Sequence, residues 1–263
     1  MNTAPGSFPT LCKQWRHRRH LSQLQLAEAA AISQRHLSWL ETGRSQPSSD
    51  MILKLADALE VPLRERNTLL HAAGFAARYR ESGLEESHMG PIKNALATIL
   101  EHHMPFPAIV VDRKWNRVMA NAAADKLFSL IGAAQKPAES FNLAAATLAP
   151  DGLRRFIRNE ETVLPLFIQR LRGEALASGE TGMIAHVEAL VRGVGELPVS
   201  APTPEPLLPV MPLELDINGL ELSLFTVMST FGTPQDITTD ELRIEAFYPA
   251  NDATGVFFKS AGQ

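Results

Sequence analysis

Gln34, Arg35 and Ser38 combine chemistry and spacing more closely than any other group in this chain, because one predicted stretch of helix sets all three on a single polar face. An Arg guanidinium pairs bidentately with guanine and a Gln amide with adenine. Each such pair gives about 1 to 3 kcal/mol of discrimination against the wrong base. Side chains of this kind read a sequence only when a rigid element holds them in the major groove, so the surrounding residues must supply that element.

The pattern predicts two short helices joined by a tight turn. Ser22 precedes an apolar run in which Leu24, Ala27 and Ala30 recur at helical spacing, so Ser22 is an expected N-cap. Ala31, Ile32 and Ser33 form the turn. Ser33 caps a second helix, from Gln34 to about Thr42, whose Leu37 and Leu40 face inward. Gly43 supplies the left-handed residue that ends it. Small alanines let the helices cross closely and Ile32 fills the space between them. This is helix-turn-helix spacing, in which the second helix enters the groove while the first crosses the phosphates.

From about Leu11 to Gly74 the chain resembles the helix-turn-helix domain of the Xre/Cro repressor family. The resemblance rests on Ser22-Gln23, Leu26-Ala27, Ile32-Ser33, Leu37-Ser38, the run Leu40 to Arg44, and Pro47. It implies a double-stranded DNA operator as partner, with Gln23 and Arg44 on the phosphate backbone and Ser33, Gln34, Arg35 and Ser38 facing the bases. Trp39 holds a position that faces DNA in some relatives, and an indole there can equally pack on the domain edge.

The flanking sequence completes a small all-α domain of five helices. A first helix carries Leu11 and Trp15, with Lys13, Arg16, Arg18 and Arg19 expected on its outer face near phosphates. Ser49 is the expected cap of a fourth helix with Met51, Ile52, Leu55, Ala56 and Leu59 inward, and Leu63 to Ala73 forms a fifth that Gly74 stops. The expected boundaries are residues 1–76 for this domain, 77–90 for a linker poor in apolar periodicity, and 91–263 for a second domain.

Composition supports that division. The 263 residues carry a net charge of only -4, but residues 1–80 hold 11 Lys and Arg against 6 Asp and Glu, whereas residues 81–263 hold 14 against 23. A basic head and an acidic body fit nucleic-acid binding at one end. The single cysteine, Cys12, excludes an intramolecular disulfide, and no Cys/His cluster has structural zinc spacing. No signal peptide and no run of about 18 apolar residues is present, so the chain is expected to be cytoplasmic, with no membrane partner.

The second domain reads as α+β. An amphipathic helix, Pro91 to His103, precedes a strand Ala108 to Asp112 and its hairpin partner Trp115 to Ala120. Asn121 caps a helix carrying Ala124, Leu127 and Phe128, and Phe141 to Leu148 forms another. Two longer helices follow, from about Asn159 to Ala177, which Pro165 should kink or begin, and from Glu180 to Arg192. Pro198 to Pro212 holds six prolines and is expected to be an extended connector. Strands Leu213 to Ile217 and Leu220 to Phe231 flank an Asn218-Gly219 turn, and Glu241 to Phe247 adds another before a short helix, Pro249 to Phe258.

An antiparallel sheet of about five strands, interrupted by helices, is PAS-like in architecture. From about Pro91 onward the chain resembles the ligand-binding domain of MmyB-like transcription regulators. The resemblance rests on the run Ala108 to Asp112 with Trp115-Asn116 and Ala120-Asn121, then Asp151-Gly152-Leu153, Leu222 to Phe225, Phe231 to Pro234, Leu242 to Glu245, and Tyr248-Pro249-Ala250. It implies a sensor for a small apolar effector such as a fatty acid, with no other cofactor.

An apolar ligand needs a cavity lined by aliphatic and aromatic groups with a few polar anchors. The candidates are Phe106, Ile109, Met119, Leu127 and Phe128, then Phe156, Phe167, Ile168 and Leu171, then Leu224, Thr226, Met228 and Ile244; each also fits ordinary core. Arg154, with Arg155 and Arg158, fits a carboxylate head group or a solvated helix face. The pairs His17/His20 and His102/His103 lack a third ligand at metal spacing, and no nucleophile elbow or phosphate-cradling loop occurs, so neither metal nor catalysis is expected. Cys12 reads as a core thiol or an oxidant sensor. The expectation is a regulator that binds DNA as a homodimer, since one head makes few contacts. The competing expectation makes the second domain only a dimerisation or protein-interaction module.

Overall fold

A computed structural model describes residues 6–132, 141–195 and 209–261. The chain divides into two compact units: Met1–Glu81 with Ala177–Glu180 and Pro234–Asp240, and Ser82–Leu176 with Thr181–Thr233 and Glu241–Gln263.

The first unit is helical: α1 (Phe8–Arg18), α2 (Gln23–Ala29), α3 (Gln34–Glu41), α4 (Ser49–Ala58) and α5 (Leu63–Ala72). Three serines begin three of these helices, because a hydroxyl satisfies an orphan amide of the first turn. Ser22 Oγ accepts from Gln25 N while Gln25 Oε1 accepts from Ser22 N, a complete capping box. Ser33 Oγ accepts from His36 N, and Ser48, one residue earlier than expected, caps α4 through Met51 N. The core runs from Phe8 to Leu70 through Leu26, Leu37, Leu40, Ile52 and Leu55. Leu24, the first residue of the periodic run, is 51% exposed. Its neighbours Ala27 and Ala30 sit in the core without it, because so short a helix presents only a narrow face. Beyond α5, Asn67 Oδ1 accepts from Arg78 N and Tyr79 N and its Nδ2 donates to Tyr79 O, so part of the expected linker is pinned. Asp240 accepts from Leu63 N at the start of α5.

The second unit is built on a five-stranded antiparallel sheet of order β2-β1-β5-β4-β3, formed by β1 (Ala108–Val111), β2 (Arg117–Ala120), β3 (Leu213–Ile217), β4 (Leu220–Ser229) and β5 (Arg243–Pro249). The helices are α6 (Gly90–His102), α7 (Ala122–Leu130), α8 (Leu143–Leu148), α9 (Glu160–Ser178), α10 (Thr181–Arg192) and α12 (Asp252–Ala261), whereas α11 (Ile237–Glu241) falls, but for Glu241, in the first unit. Strands β1 and β5 have packed residues on both faces. Ile109, Val111, Leu224 and Phe247 join the larger core with Leu127, Leu164, Ile168 and Leu171, whereas Ala108, Val110 and Ile244 pack with Leu96 and Leu100 of α6.

Turn chemistry sets the register. Asn218 and Gly219 both take positive φ, 54° and 91°, and Asp216 Oδ1 accepts from Gly219 N, which gives the tight β3–β4 hairpin. In the β1–β2 connection Asp112 Oδ1 accepts from Lys114 N and Asn116 N. Trp115 there has φ 68°, so it belongs to the turn, and β2 begins two residues later than expected. Pro165 lies inside α9, so it does not begin that helix. The helix α11 escaped prediction because its residues, ITTDE, lack a helical apolar stripe. At Gly152 a Cβ would stand 2.3 Å from the Ala146 carbonyl oxygen, so the α8 exit requires glycine. Most of the proline-rich stretch, 196–208, lies outside the described residues.

Asn121 ties these layers together. Its Oδ1 accepts from Ala124 N and Ala108 N, and its Nδ2 donates to Leu100 O and Phe106 O. Asn121→Ala removes a cap and strands buried backbone groups, so the second unit should lose about 3 kcal/mol. In urea denaturation its transition should move to lower denaturant while the transition of the first unit stays in place.

Candidate DNA-binding face and ligand cavity

In the first unit a single buried carboxylate joins three helices. Glu41 at the end of α3 accepts from Arg16 Nε of α1 at 2.7 Å and Nη2 at 3.0 Å, and from Gln23 Nε2 of α2 at 2.8 Å. Arg16 Nη1 donates to Leu21 O. The hydrogen bond to Glu41 raises the Arg16 guanidinium above its ordinary value, so it stays charged although only 7% exposed. Arg16 therefore belongs to the interior, in contrast to its expected place on the outer face. It follows Cys12 by four residues and shares that residue's inward side. Arg19 is also diverted, its Nε donating to Leu59 O and its Nη2 to Glu60 O. Lys13 and Arg18 are exposed.

The turn between α2 and α3 carries Ala31 at φ 45°, and Ile32 N donates back to Ala27 O. After it, Ser33, Gln34 and Arg35 are exposed and Ser38 is half-buried, all along the open side of α3. The Arg35 guanidinium lies 4.6 Å from the centre of the Trp39 ring, which is 38% exposed. Trp39 thus makes a flat support for Arg35. Arg44 is exposed beyond Gly43, whose φ of 71° ends α3. The face combines an anchored Gln23, the exposed Ser33 and Gln34, and an Arg35 stacked on Trp39.

In the second unit a cavity of about 220 Å³ lies between α9 and the larger-core face of the sheet. Among the predicted residues Phe167, Leu224 and Thr226 line it. Ile109, Leu127, Phe128, Ile168 and Leu171 are buried in the larger core, while Phe106 and Phe156 pack at its margin. Met119 and Ile244 belong to the α6 side, and Met228 is exposed against Arg170 Nη2. Arg154 is held away from the cavity by Glu160 and Val194 O.

The lining that sequence reasoning missed includes Trp115, Leu143, Leu213, Phe247, Arg170 and Glu245. Strand parity held the signal for two of them. Glu245 and Phe247 alternate with Ile244, and choosing Ile244 as inward passed over them because both faces of β5 are buried. The charged side of the cavity is a network. Arg170 donates to Glu245 and to Glu174, its guanidinium 4.7 Å from the Trp115 ring centre, and Trp115 Nε1 and Arg243 both donate to Glu174. Burial pushes the Glu245 carboxyl above the ordinary carboxylate range, against the opposing pull of Arg170. Trp115 meets Phe167 edge-on at 5.2 Å.

Among the described residues no group of three His, Cys, Asp or Glu side chains is placed to hold a metal ion, and no helix is long and apolar enough to cross a membrane. Together, a helix-turn-helix unit and a cavity-bearing α+β unit define a DNA-binding transcription regulator with a ligand-binding domain. Comparison with protein families agrees: residues 11–69 match a helix-turn-helix domain, and residues 92–260 match the MmyB-like transcription regulator ligand binding domain. The chain belongs to the MmyB-like transcription regulators. No curated protein matches it.

Two results should follow from the buried charges. Glu41→Ala leaves Arg16 buried without its partner, which should cost the first unit about 3 to 5 kcal/mol, read as a lowered denaturation midpoint together with lost DNA binding. Burial, reinforced by the charge of Glu41 and opposed by that of Arg16, pushes the Cys12 thiol up to about 12. At pH 8 Cys12 should therefore react with a thiol reagent only as fast as the first unit opens, and at once in denaturant.

Proposed function

We propose that this chain is a sequence-specific regulator that binds its operator as a homodimer in the cytoplasm and answers to a small, mostly apolar effector, fatty-acid-like in its body. The observation that carries this reading is the cavity walled by Trp115, Phe167, Leu224 and Phe247, on a chain whose other unit presents Gln34 and Arg35 from a capped helix. Arg35 and Gln34 read base edges, Ser33 and Ser38 support them, and Gln23 and Arg44 hold phosphates. Trp39 keeps the Arg35 guanidinium planar to the groove. Two copies read two half-sites about one helical turn, or a multiple of it, apart. An effector alters operator affinity only by binding one conformational state more tightly than the other. The chain carries out no catalysis in this scheme.

Selection of bound DNA from a random pool, with and without candidate amphiphiles, tests the whole reading. A single enriched palindromic site whose recovery changes with one added compound is the expected result. On that site Arg35→Ala should lose about 1 to 3 kcal/mol and relax one base position, while Gln23→Ala should weaken binding on every sequence about equally. Identical behaviour of the two variants across operator mutants would refute the division between base and phosphate contacts.

A further inference from the structure

The cavity's charged groups bear on its ligand. Among the described lining residues Arg170 and Glu245 are the charged ones, and they are paired with each other. Glu174 takes the Arg170 Nε at 3.0 Å and is itself paired with Arg243. Two guanidiniums thus stand against two carboxylates, and no positive charge is left over for an anionic head group. Glu245 is only 2% exposed, so water does little to screen it. A ligand carboxylate here would sit beside the Glu245 carboxylate, a like charge.

The same pair retains capacity for neutral hydrogen bonds. Arg170 uses Nε and Nη2, and Glu245 uses Oε1. Among the described residues the Nη1 donor of Arg170 and the Oε2 acceptor of Glu245 have no such partner. A spare donor and a spare acceptor on two directly paired residues match a group that both accepts and donates, as a primary amide does. Size adds a second constraint. A closed cavity of about 150 Å³ holds benzene, so about 220 Å³ in this half-open pocket seats roughly nine heavy atoms of a ligand.

From this geometry we infer that the cavity takes an uncharged amphiphile, seating roughly nine of its heavy atoms, whose head group donates and accepts a hydrogen bond, an amide above all, and that it disfavours carboxylates. The inference rests on the sensor reading given above and narrows it: the body is fatty-acid-like and the head group is not. Arg170 and Glu245 hold the head, and Trp115, Phe167 and Phe247 surround the chain.

Titration calorimetry on the full chain with heptanamide and heptanoate, matched in size, separates the two classes. Wild type should bind heptanamide at least about ten-fold more tightly than heptanoate, a difference of about 1.4 kcal/mol. Glu245→Gln removes one negative charge and should narrow or reverse the preference. Should that variant not fold, the wild-type comparison decides alone. Equal or tighter binding of heptanoate by wild type overturns the head-group inference and leaves a small-molecule sensor standing. So does binding of a long-chain fatty acid where heptanamide fails. If none of the three binds, the sensor reading falls as well.

Discussion

The central strand of the second unit, β5, is buried on both faces, and its two-residue pleat decides what each side of the domain contains. Ile244 pairs with Val110 and looks toward α6, whereas Glu245 pairs with Ile109 and Met228 and looks toward α9. A one-residue slip would exchange these sets, moving a carboxylate into an aliphatic layer and leaving Arg170 without its partner. Register and the ion network therefore constrain each other. The Asn218-Gly219 hairpin at one edge and the Asp112 turn at the other fix the strands on which that register depends.

The first unit solves a comparable problem with one residue. Its helices are short, seven residues in α2 and eight in α3, and helices of that length have little stability of their own. Leucine packing brings them together, but apolar contacts tolerate sliding. The Glu41 carboxylate, held by Arg16 and Gln23, specifies one angle among three helices because its acceptors satisfy donors from both of the others. The same bond holds the Gln23 amide in place at the start of α2, so one contact fixes both the packing of the helices and the orientation of that side chain.

Sequence periodicity was sufficient for the helix-turn-helix because capping and turn residues act locally. Ser22, Ser33, Ala31 and Gly43 each do their work within four residues, and each lies where spacing places it. Arg16 shows where local reading stops: an arginine beside solvent-facing lysine and histidine reads as surface until a carboxylate 25 residues later meets it. The cavity was less legible still. Its wall takes Trp115 from a turn, Arg170 from a helix and Glu245 from a strand, and no interval along the chain links the three. Alternation in β5 identified two classes of residue but not which layer holds an opening, since both classes are buried.

An opening of this kind has an energetic consequence. The apolar walls of this half-open pocket of about 220 Å³ face water, so covering them with a ligand gains about 25 cal/mol for each Å² of apolar surface removed from solvent. Simple repacking does not remove the opening, because larger side chains near Arg170 and Glu245 would bury the pair without hydrogen bonds for its remaining polar atoms. A ligand that fills the apolar volume and satisfies those atoms relieves both costs at once. Occupancy must then stabilise the second unit by an amount set by ligand concentration and affinity, and any conformational state that closes the cavity competes with binding. The charged pair thus opposes apolar repacking of the site and offers polar contacts to a ligand that fills it.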